Sequence, residues 1–448
     1  MIIITQKHTF MWGYNPSKNV TVLLDLLVSL NPWWSGNDFE TGVRRERYSS
    51  KIRKYYATGE IVVLSGVRRS GKTTLLYQLI HDLIHEQDVD PRSILFVNCD
   101  EPALARLDRP LETVLETYRS EVYSKGGACL VFDEIQNIPG WERWVKSTYD
   151  RKQFHLVISG SSSYLLDSEI STLISGRYLP VPVYPLDFSE YLLFHEVDAG
   201  NDSIALSSRK YEILQWLRRY LHEGGFPQVV RQGDEDVKKD QLRAYYDSIV
   251  YRDIVRVNDV RNQRAMSDLL SYLLTNIASP YSYRQLVQIL GIDAATVREY
   301  IQYAGMAKVL FEVHFFSYSL KTQARNNKKI YCIDNGLRNA VSFTFSADDG
   351  KCAENLVYLE LQRRGQEPYY WKKGGEVDFI LKNPDTTLSA INVTYTDAIP
   401  AREMDALREF AGEFGSKVRD MVLITKDTAQ THGDVRCVPL WKWLLVPG

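Results

Sequence analysis

Four short runs of β-branched and other apolar residues stand out between residues 59 and 186, at 61–65, 94–97, 129–132 and 156–159. Each is nearly continuous rather than alternating, as expected of strands covered on both faces. A fifth strand is expected at 179–183. Amphipathic helical stretches separate the runs, so this part of the chain predicts a parallel α/β layer. After Phe188 the periodicity is helical through Leu193, and a polar stretch at 198–208 precedes a helix rich in Leu, Trp and Arg. Helices dominate 245–304. Two short ones, at 283–290 and 296–304, meet around Gly291 and Asp293 with helix-turn-helix spacing, Asp293 serving as the cap of the second. The β-rich run 308–317, paired with 329–333, would supply a wing. From about Gly350 the pattern returns to mixed α/β, with a helix around 354–364 and strands near Tyr369, Val377 and Ile391.

A chain of 448 residues exceeds one ordinary domain, and 44% hydrophobic with 25% charged residues is a globular composition. Fifty-four Lys and Arg against 56 Asp and Glu leave a formal charge of -2, so any attraction to nucleic acid must come from a local patch. The cysteines, Cys99, Cys129, Cys332, Cys352 and Cys437, are odd in number and form no CxxC pair. That fits a reducing compartment better than a disulfide framework. The early apolar run 21–30 is interrupted by Asp25 and is too short to cross a bilayer, and residues 1–10 lack a signal-peptide pattern. A cytoplasmic protein without a membrane partner is expected. His81 and His85 share a helix face without a third ligand nearby and read as surface residues.

The chemistry concentrates in Gly66-Val67-Arg68-Arg69-Ser70-Gly71-Lys72-Thr73, a full GxxxxGK[ST] match between a strand and an apolar-periodic helix. Its glycines let backbone N–H groups wrap phosphates at a helix N-terminus. Lys72 would reach the β and γ phosphates of ATP and Thr73 would coordinate Mg²⁺. The expected nucleotide contacts are Gly66, Arg69, Ser70, Gly71, Lys72, Thr73 and Thr74. Leu130-Val131-Phe132-Asp133-Glu134 is an apolar strand ending in two acids. Asp133 would hold the metal shell beside Thr73, and Glu134 would polarise the attacking water. The next strand ends in serines; Ser161 is the candidate to reach the γ-phosphate, and an ordinary turn is the alternative. Arg177, just before the fifth strand, would stand at the edge of the core. There it is either a finger for a neighbouring subunit or a surface arginine paired with an acid.

With these residues in place, the chain resembles the AAA+-like archaeal and bacterial ATPases that carry a C-terminal domain related to PD-(D/E)XK nucleases. Further segments support the resemblance: Gly160-Ser161-Ser162, Gly176-Arg177-Tyr178, Pro185-Leu186-Asp187-Phe188-Ser189-Glu190-Tyr191, Gly224-Gly225-Phe226-Pro227 and Tyr251-Arg252-Asp253-Ile254. It implies a core with strand order 5-1-4-3-2 in residues 1–195, after an N-terminal extension. A helical lid (196–265), a winged helix (266–349) and a nuclease-like α/β unit (350–448) would follow. It also implies a homo-oligomer with Arg177 as finger and Arg252 as a second finger or lid sensor. The nuclease-like unit retains Glu354 and Glu376-Val377-Asp378. Its next strand has Asn392 where an acid belongs and Thr394 where the lysine belongs, so an inert scaffold is expected.

Lys321, Arg325, Lys328 and Lys329 lie in a stretch without one acid and would suit a wing tip gripping nucleic-acid phosphates. The leading expectation is an oligomeric Mg²⁺-dependent ATPase that couples nucleotide state to domain rearrangement. A nucleotide-gated switch with little turnover and an ATP-powered metal-dependent nuclease are the alternatives.

Overall fold

The computed structural model describes residues 16–161, 174, 176–198, 200, 203–342 and 348–446. Strands β1 (Ile61–Ser65), β2 (Ile94–Asn98), β3 (Ala128–Asp133), β4 (Phe154–Gly160) and β5 (Tyr178–Pro182) form one parallel sheet in the order β2-β3-β4-β1-β5. This is the 5-1-4-3-2 order that the resemblance implies. Every residue of β1 and of β3 is buried, which accounts for their unbroken apolar character. Helices Lys72–His85, Pro110–Glu121 and Trp141–Asp150 connect the strands.

The residues before the sheet close its first edge. Asn31 follows helix Pro16–Leu30 and pairs with the backbone of β2: its Nδ2 donates to Phe96 O (2.9 Å) and its Oδ1 accepts from Phe96 N (2.7 Å). Trp33 and Trp34 both donate Nε1 to Ile94 O, at 3.2 and 2.8 Å. The N–H and C=O groups of an edge strand are thus satisfied by side chains and sealed under two indoles. At the other edge, Arg177 O and Val183 N bond to β1, so odd residues of β5 face β1 and Pro180 and Pro182 face outward.

Beyond the sheet lie helices Phe188–Phe194, Lys210–Glu223, Pro227–Val230 and Glu235–Ser248, a π-helical segment Ile249–Val255, and helix Gln263–Thr275. Next come β6 (Pro280–Tyr281), helices Tyr283–Leu290 and Ala294–Met306, β7 (Leu310–Val313), helix Leu320–Arg325 and β8 (Lys328–Cys332). The three strands form an antiparallel sheet, β6-β8-β7. Asp293 caps the second of the paired helices by accepting from Ala295 N and Thr296 N, and Gly291, in the left-handed region at φ +66°, ends the first.

Helix Asp349–Arg363 opens the last unit. It is followed by β9 (Tyr369–Lys372), β10 (Glu376–Lys382), β11 (Leu388–Thr394), helix Ala401–Phe414, β12 (Val418–Thr425), β13 (Thr431–His432), β14 (Val435–Pro439) and helix Leu440–Leu445. The strands form a mixed sheet, β13-β14-β12-β11-β10-β9. One contiguous apolar cluster runs from Leu186 and Phe188 through Leu269, Val297 and Tyr331 to Leu356 and Trp441, so these units share a core. Among the described residues, no helix is long and apolar enough to cross a membrane.

The expected basic wing tip needs correction. Lys321 and Arg325 are exposed, but Lys328 donates to Glu312 Oε2 (2.9 Å) and Tyr283 Oη (3.1 Å), and Lys329 is wholly buried. Alternation along β8 turns Lys329 away from solvent, toward the last unit.

Asn31→Ala should leave the buried N–H and C=O of Phe96 without partners and destabilise the sheet by about 2–4 kcal/mol. Urea unfolding checks this; a loss below ~0.5 kcal/mol would mean that water replaces the amide.

Candidate functional site

The loop after β1 is shaped by steric necessity. A Cβ on Gly66 would lie 2.2 Å from Val183 O, so only glycine allows the approach. Gly71, at φ +98°, is the residue before helix Lys72–His85 and aims the first N–H groups of that helix into a cleft of about 440 Å³. Arg68, Arg69, Gly71, Lys72, Thr73 and Thr74 line the cleft with Asp133 and Glu134. Ser70 is buried beneath the loop. Lys72 Nζ donates to Gly66 O (3.2 Å) and Val67 O (3.3 Å) and stands 3.4 Å from Glu134 Oε1.

Thr73 Oγ1 donates to Asp133 Oδ2 at 2.6 Å. A hydroxyl and a carboxylate meeting beside a phosphate loop form the hard-oxygen donor set that suits Mg²⁺. Burial raises the Asp133 carboxyl above its usual range, against the hydrogen bonds from Ser159 and Thr73. Burial pushes Glu134 upward too, but Lys72, the Gln136 amide and Arg68 outweigh it, and its carboxyl is held below the ordinary range. Glu134 has φ +52°, uncommon for a residue with a side chain. Its backbone N donates to Ser159 Oγ (3.3 Å) and its Oε2 accepts from Gln136 Nε2 (2.6 Å). Main-chain conformation and side-chain bonds together point the carboxylate at Lys72.

Sequence reasoning missed Ser159, whose hydroxyl donates to Asp133 Oδ1. The Ser161 hydroxyl is buried and has no partner among the described residues; Ser162 and Ser163 lie outside them. The signal was strand register. Phe132 pairs with Ile158, which sets Ser159 beside Asp133 one step further along.

A second missed residue is Arg45, 2% exposed. Nη1 donates to Ser70 O (2.8 Å), Nη2 to Tyr184 O (3.0 Å), and Nε and Nη2 grip the two oxygens of Glu190 at 2.8 and 2.7 Å. Glu190 belongs to the capping box of helix Phe188–Phe194 with Asp187. Arg47 reaches both Asp187 Oδ2 (3.5 Å) and Glu360 Oε1 (3.4 Å), so the phosphate loop is tied through this helix to the last unit. Across the cleft, Arg68 Nε donates to Asp253 at 3.0 and 3.1 Å, and Arg252 lines the cleft. Both come from the π-helical segment, an irregularity common at functional positions.

Arg177 stands elsewhere. It precedes β5 at the amino ends of the strands, with Nε 3.6 Å from Asp150 Oδ1, while the phosphate loop leaves their carboxyl ends. A five-residue strand spans about 15 Å, so Arg177 does not serve its own cleft. In the last unit, Glu354, Glu376 and Asp378 do come together, and around one cation: Lys329 Nζ lies 3.0, 2.7 and 3.0 Å from their oxygens. Asn392 Oδ1 accepts from Asp378 N, its Nδ2 donates to Glu403 Oε2, and the Thr394 hydroxyl meets Thr396.

A parallel 5-1-4-3-2 sheet with this loop and two strand-end acids defines an ATP-binding P-loop domain of AAA type. Residues 58–192 match the family model described as an AAA domain; residues 214–348 and 349–443 match two domains of unknown function, DUF8612 and DUF4143. The chain is 31% identical over 404 residues to the Methanocaldococcus jannaschii protein called uncharacterized protein MJ1544, covering 86% of this chain and 88% of that one. It belongs to that family. A Haemophilus influenzae protein, also called uncharacterized, is 27% identical over 416 residues, 90% of this chain and 98% of that one. Among solved structures, the Walker-type ATPase PABY2304 of Pyrococcus abyssi is similar at 13% identity and a TM-score of 0.43, over 67% of this chain and 96% of that chain.

Arg45→Ala should strand the buried Glu190 carboxylate and free Ser70 O, costing about 3–5 kcal/mol. Nucleotide affinity should fall with it. Arg45→Ala/Glu190→Gln should recover part of the stability but not the affinity, read by thermal unfolding and fluorescent-nucleotide titration. Full affinity in the double variant would detach Arg45 from the loop.

Proposed function

We propose that this protein is a Mg²⁺-dependent ATPase that acts as a homo-oligomer and couples nucleotide state to the arrangement of the units after its AAA domain. The observation that carries the reading is Glu134, an ionised carboxylate aimed into the cleft 3.4 Å from Lys72. A site that only held nucleotide would have no use for a base there. Mg²⁺, held by Thr73 Oγ1 and Asp133, would neutralise charge on the β and γ phosphates. Lys72 would exchange Glu134 for phosphate oxygens, leaving Glu134 to orient a water and take its proton as the water oxygen attacks the γ-phosphorus and the bond to the β-phosphate oxygen breaks. Ser159 and Gln136 hold the two acids in place for that transfer.

Nucleotide state would reach the other units by two routes. One runs from Arg68 to Asp253 and Arg252 of the π-helical segment; the other runs from Ser70 through Arg45, Glu190 and Asp187 to Arg47 and Glu360. The paired helices and three-stranded sheet within 266–349 support the winged-helix reading, and the mixed sheet after residue 350 supports the nuclease-like one. With Asn392 neutral, Thr394 in the lysine position and Lys329 among the acids, this last unit is read as a scaffold that does not cleave nucleic acid. Contact with nucleic acid through the wing rests on Lys321 and Arg325 alone. Arg177, remote from its own cleft and on the β5 edge, suits a finger acting in a neighbouring copy.

ATP turnover tests the proposal. Lys72→Ala should abolish productive ATP binding, whereas Glu134→Gln should keep ATP bound and slow hydrolysis ~10²-fold or more. Binding without turnover in the unmodified protein would replace the ATPase with a nucleotide-gated switch.

Arg177→Ala should leave nucleotide affinity nearly intact and cut turnover, since a finger meets charge that develops only in the transition state. Mixing it with Glu134→Gln subunits should restore some activity. No recovery in mixed oligomers of demonstrated composition would remove Arg177 from a role in trans.

A further inference from the structure

A lysine with no exposed surface needs an explanation, because an ammonium leaves water only when its surroundings replace the lost hydration. Lys329 finds that replacement outside its own unit. It is carried by β8, yet its nitrogen sits among Glu354 of helix Asp349–Arg363 and Glu376 and Asp378 of β10, at 2.7–3.0 Å from all three. The same strand makes two more contacts with that helix. Tyr331 Oη donates to Glu354 Oε1 (2.6 Å), and the Asn355 side chain bonds both to Cys332 N (2.9 Å) and to Cys332 O (3.1 Å).

We propose that the ammonium of Lys329 is the resident cation of the Glu354, Glu376 and Asp378 cluster. It latches the β6-β8-β7 sheet to the last unit and closes the cluster to divalent metal ions while β8 is in place. Three converging carboxylates repel one another in a partly dehydrated site and need a positive charge between them. Lys372 reaches only Glu376, on its outer oxygen, at 2.8 Å. The second oxygen of Asp378 is engaged too: its Oδ2 accepts from Val393 N at 3.0 Å. With Asn392 bonded to Asp378 N and to Glu403, its position adds no negative charge to compensate a dication. A Mg²⁺ or Mn²⁺ ion would have to take the volume that the ammonium fills. Loss of the lysine side chain would vacate that volume and leave the carboxylates in excess, the condition for binding a hard cation.

The test uses the full chain without nucleotide, so its failure would leave the ATPase reading untouched. Mn²⁺ binding isotherms would compare the unmodified protein, Lys329→Met, and Lys329→Met/Asp378→Asn. The expected result is one additional Mn²⁺ site in Lys329→Met, absent again in the double variant. Mn²⁺ should raise the melting temperature of Lys329→Met more than that of the unmodified protein. Without metal, Lys329→Met should melt roughly 5–10 °C lower, with part of the loss recovered when Asp378→Asn removes the uncompensated charge. Should Lys329→Met fail to fold, folding of the double variant would support the latch and its failure would overturn it. An Mn²⁺ site in the unmodified protein that Asp378→Asn abolishes would overturn the proposal. So would a Lys329→Met protein that folds with unchanged stability and gains no site.

Discussion

Arg45 is the constraint on which the remaining geometry rests. A guanidinium cut off from water must spend its donors on the protein, and here they go to the phosphate loop at Ser70 O, to Tyr184 O at the end of the sheet, and to Glu190. The acceptors belong to three different segments, the loop after β1, the end of the β5 region and the helix that follows it. They can meet the flat fork of one arginine only if the loop, the strand end and the following helix hold fixed relative positions. The loop is therefore supported from below by a charge pair that also anchors the first helix beyond the sheet. Movement of the loop and movement of that helix share one fulcrum.

The other units repeat this device with different charges. Lys238 lies buried against Glu223 and Glu235, Arg363 donates to Pro185 O and Leu186 O, and Asp334 accepts from Gly225 N and caps helix Asn335–Val341. The bonds from Lys238 to Glu223, from Arg363 to the backbone at 185–186 and from Gly225 to Asp334 join separate segments across a shared apolar core. Burial there is nonspecific about alignment, whereas a buried ion pair tolerates few arrangements. Apolar area supplies the cohesion and the charges supply the register.

Local features were legible in the sequence, and long-range pairings were not. The continuous apolar runs located β1 to β4, the glycine spacing located the loop, and Asp133-Glu134 followed from an apolar strand ending in acids. Arg45 left no signal because its carboxylate partner is 145 residues away and nothing in a neighbouring pattern reports burial. Lys329 misled for a related reason: a stretch without acids reads as a solvated patch, while its three acids lie beyond residue 350 on another unit. Ser159 was passed over for Ser161 because a run of serines carries no record of which hydroxyl the adjacent strand will meet. The N-terminal Asn31, Trp33 and Trp34 show no periodicity at all, and their role exists only relative to a strand edge.

Those edge contacts carry a consequence for assembly. At β2 the hydrogen-bonding positions of Ile94 and Phe96 are occupied by Asn31 and two indoles; at β5 two of the three outward positions are Pro180 and Pro182, which have no N–H to offer. Among the described residues both borders of the central sheet are thus poor templates for a strand from another molecule. That disfavours joining of sheets into a continuous ribbon, the common route by which α/β layers aggregate. Any ring they build must meet through side chains and helix faces, contacts that can loosen and re-form without unravelling a sheet.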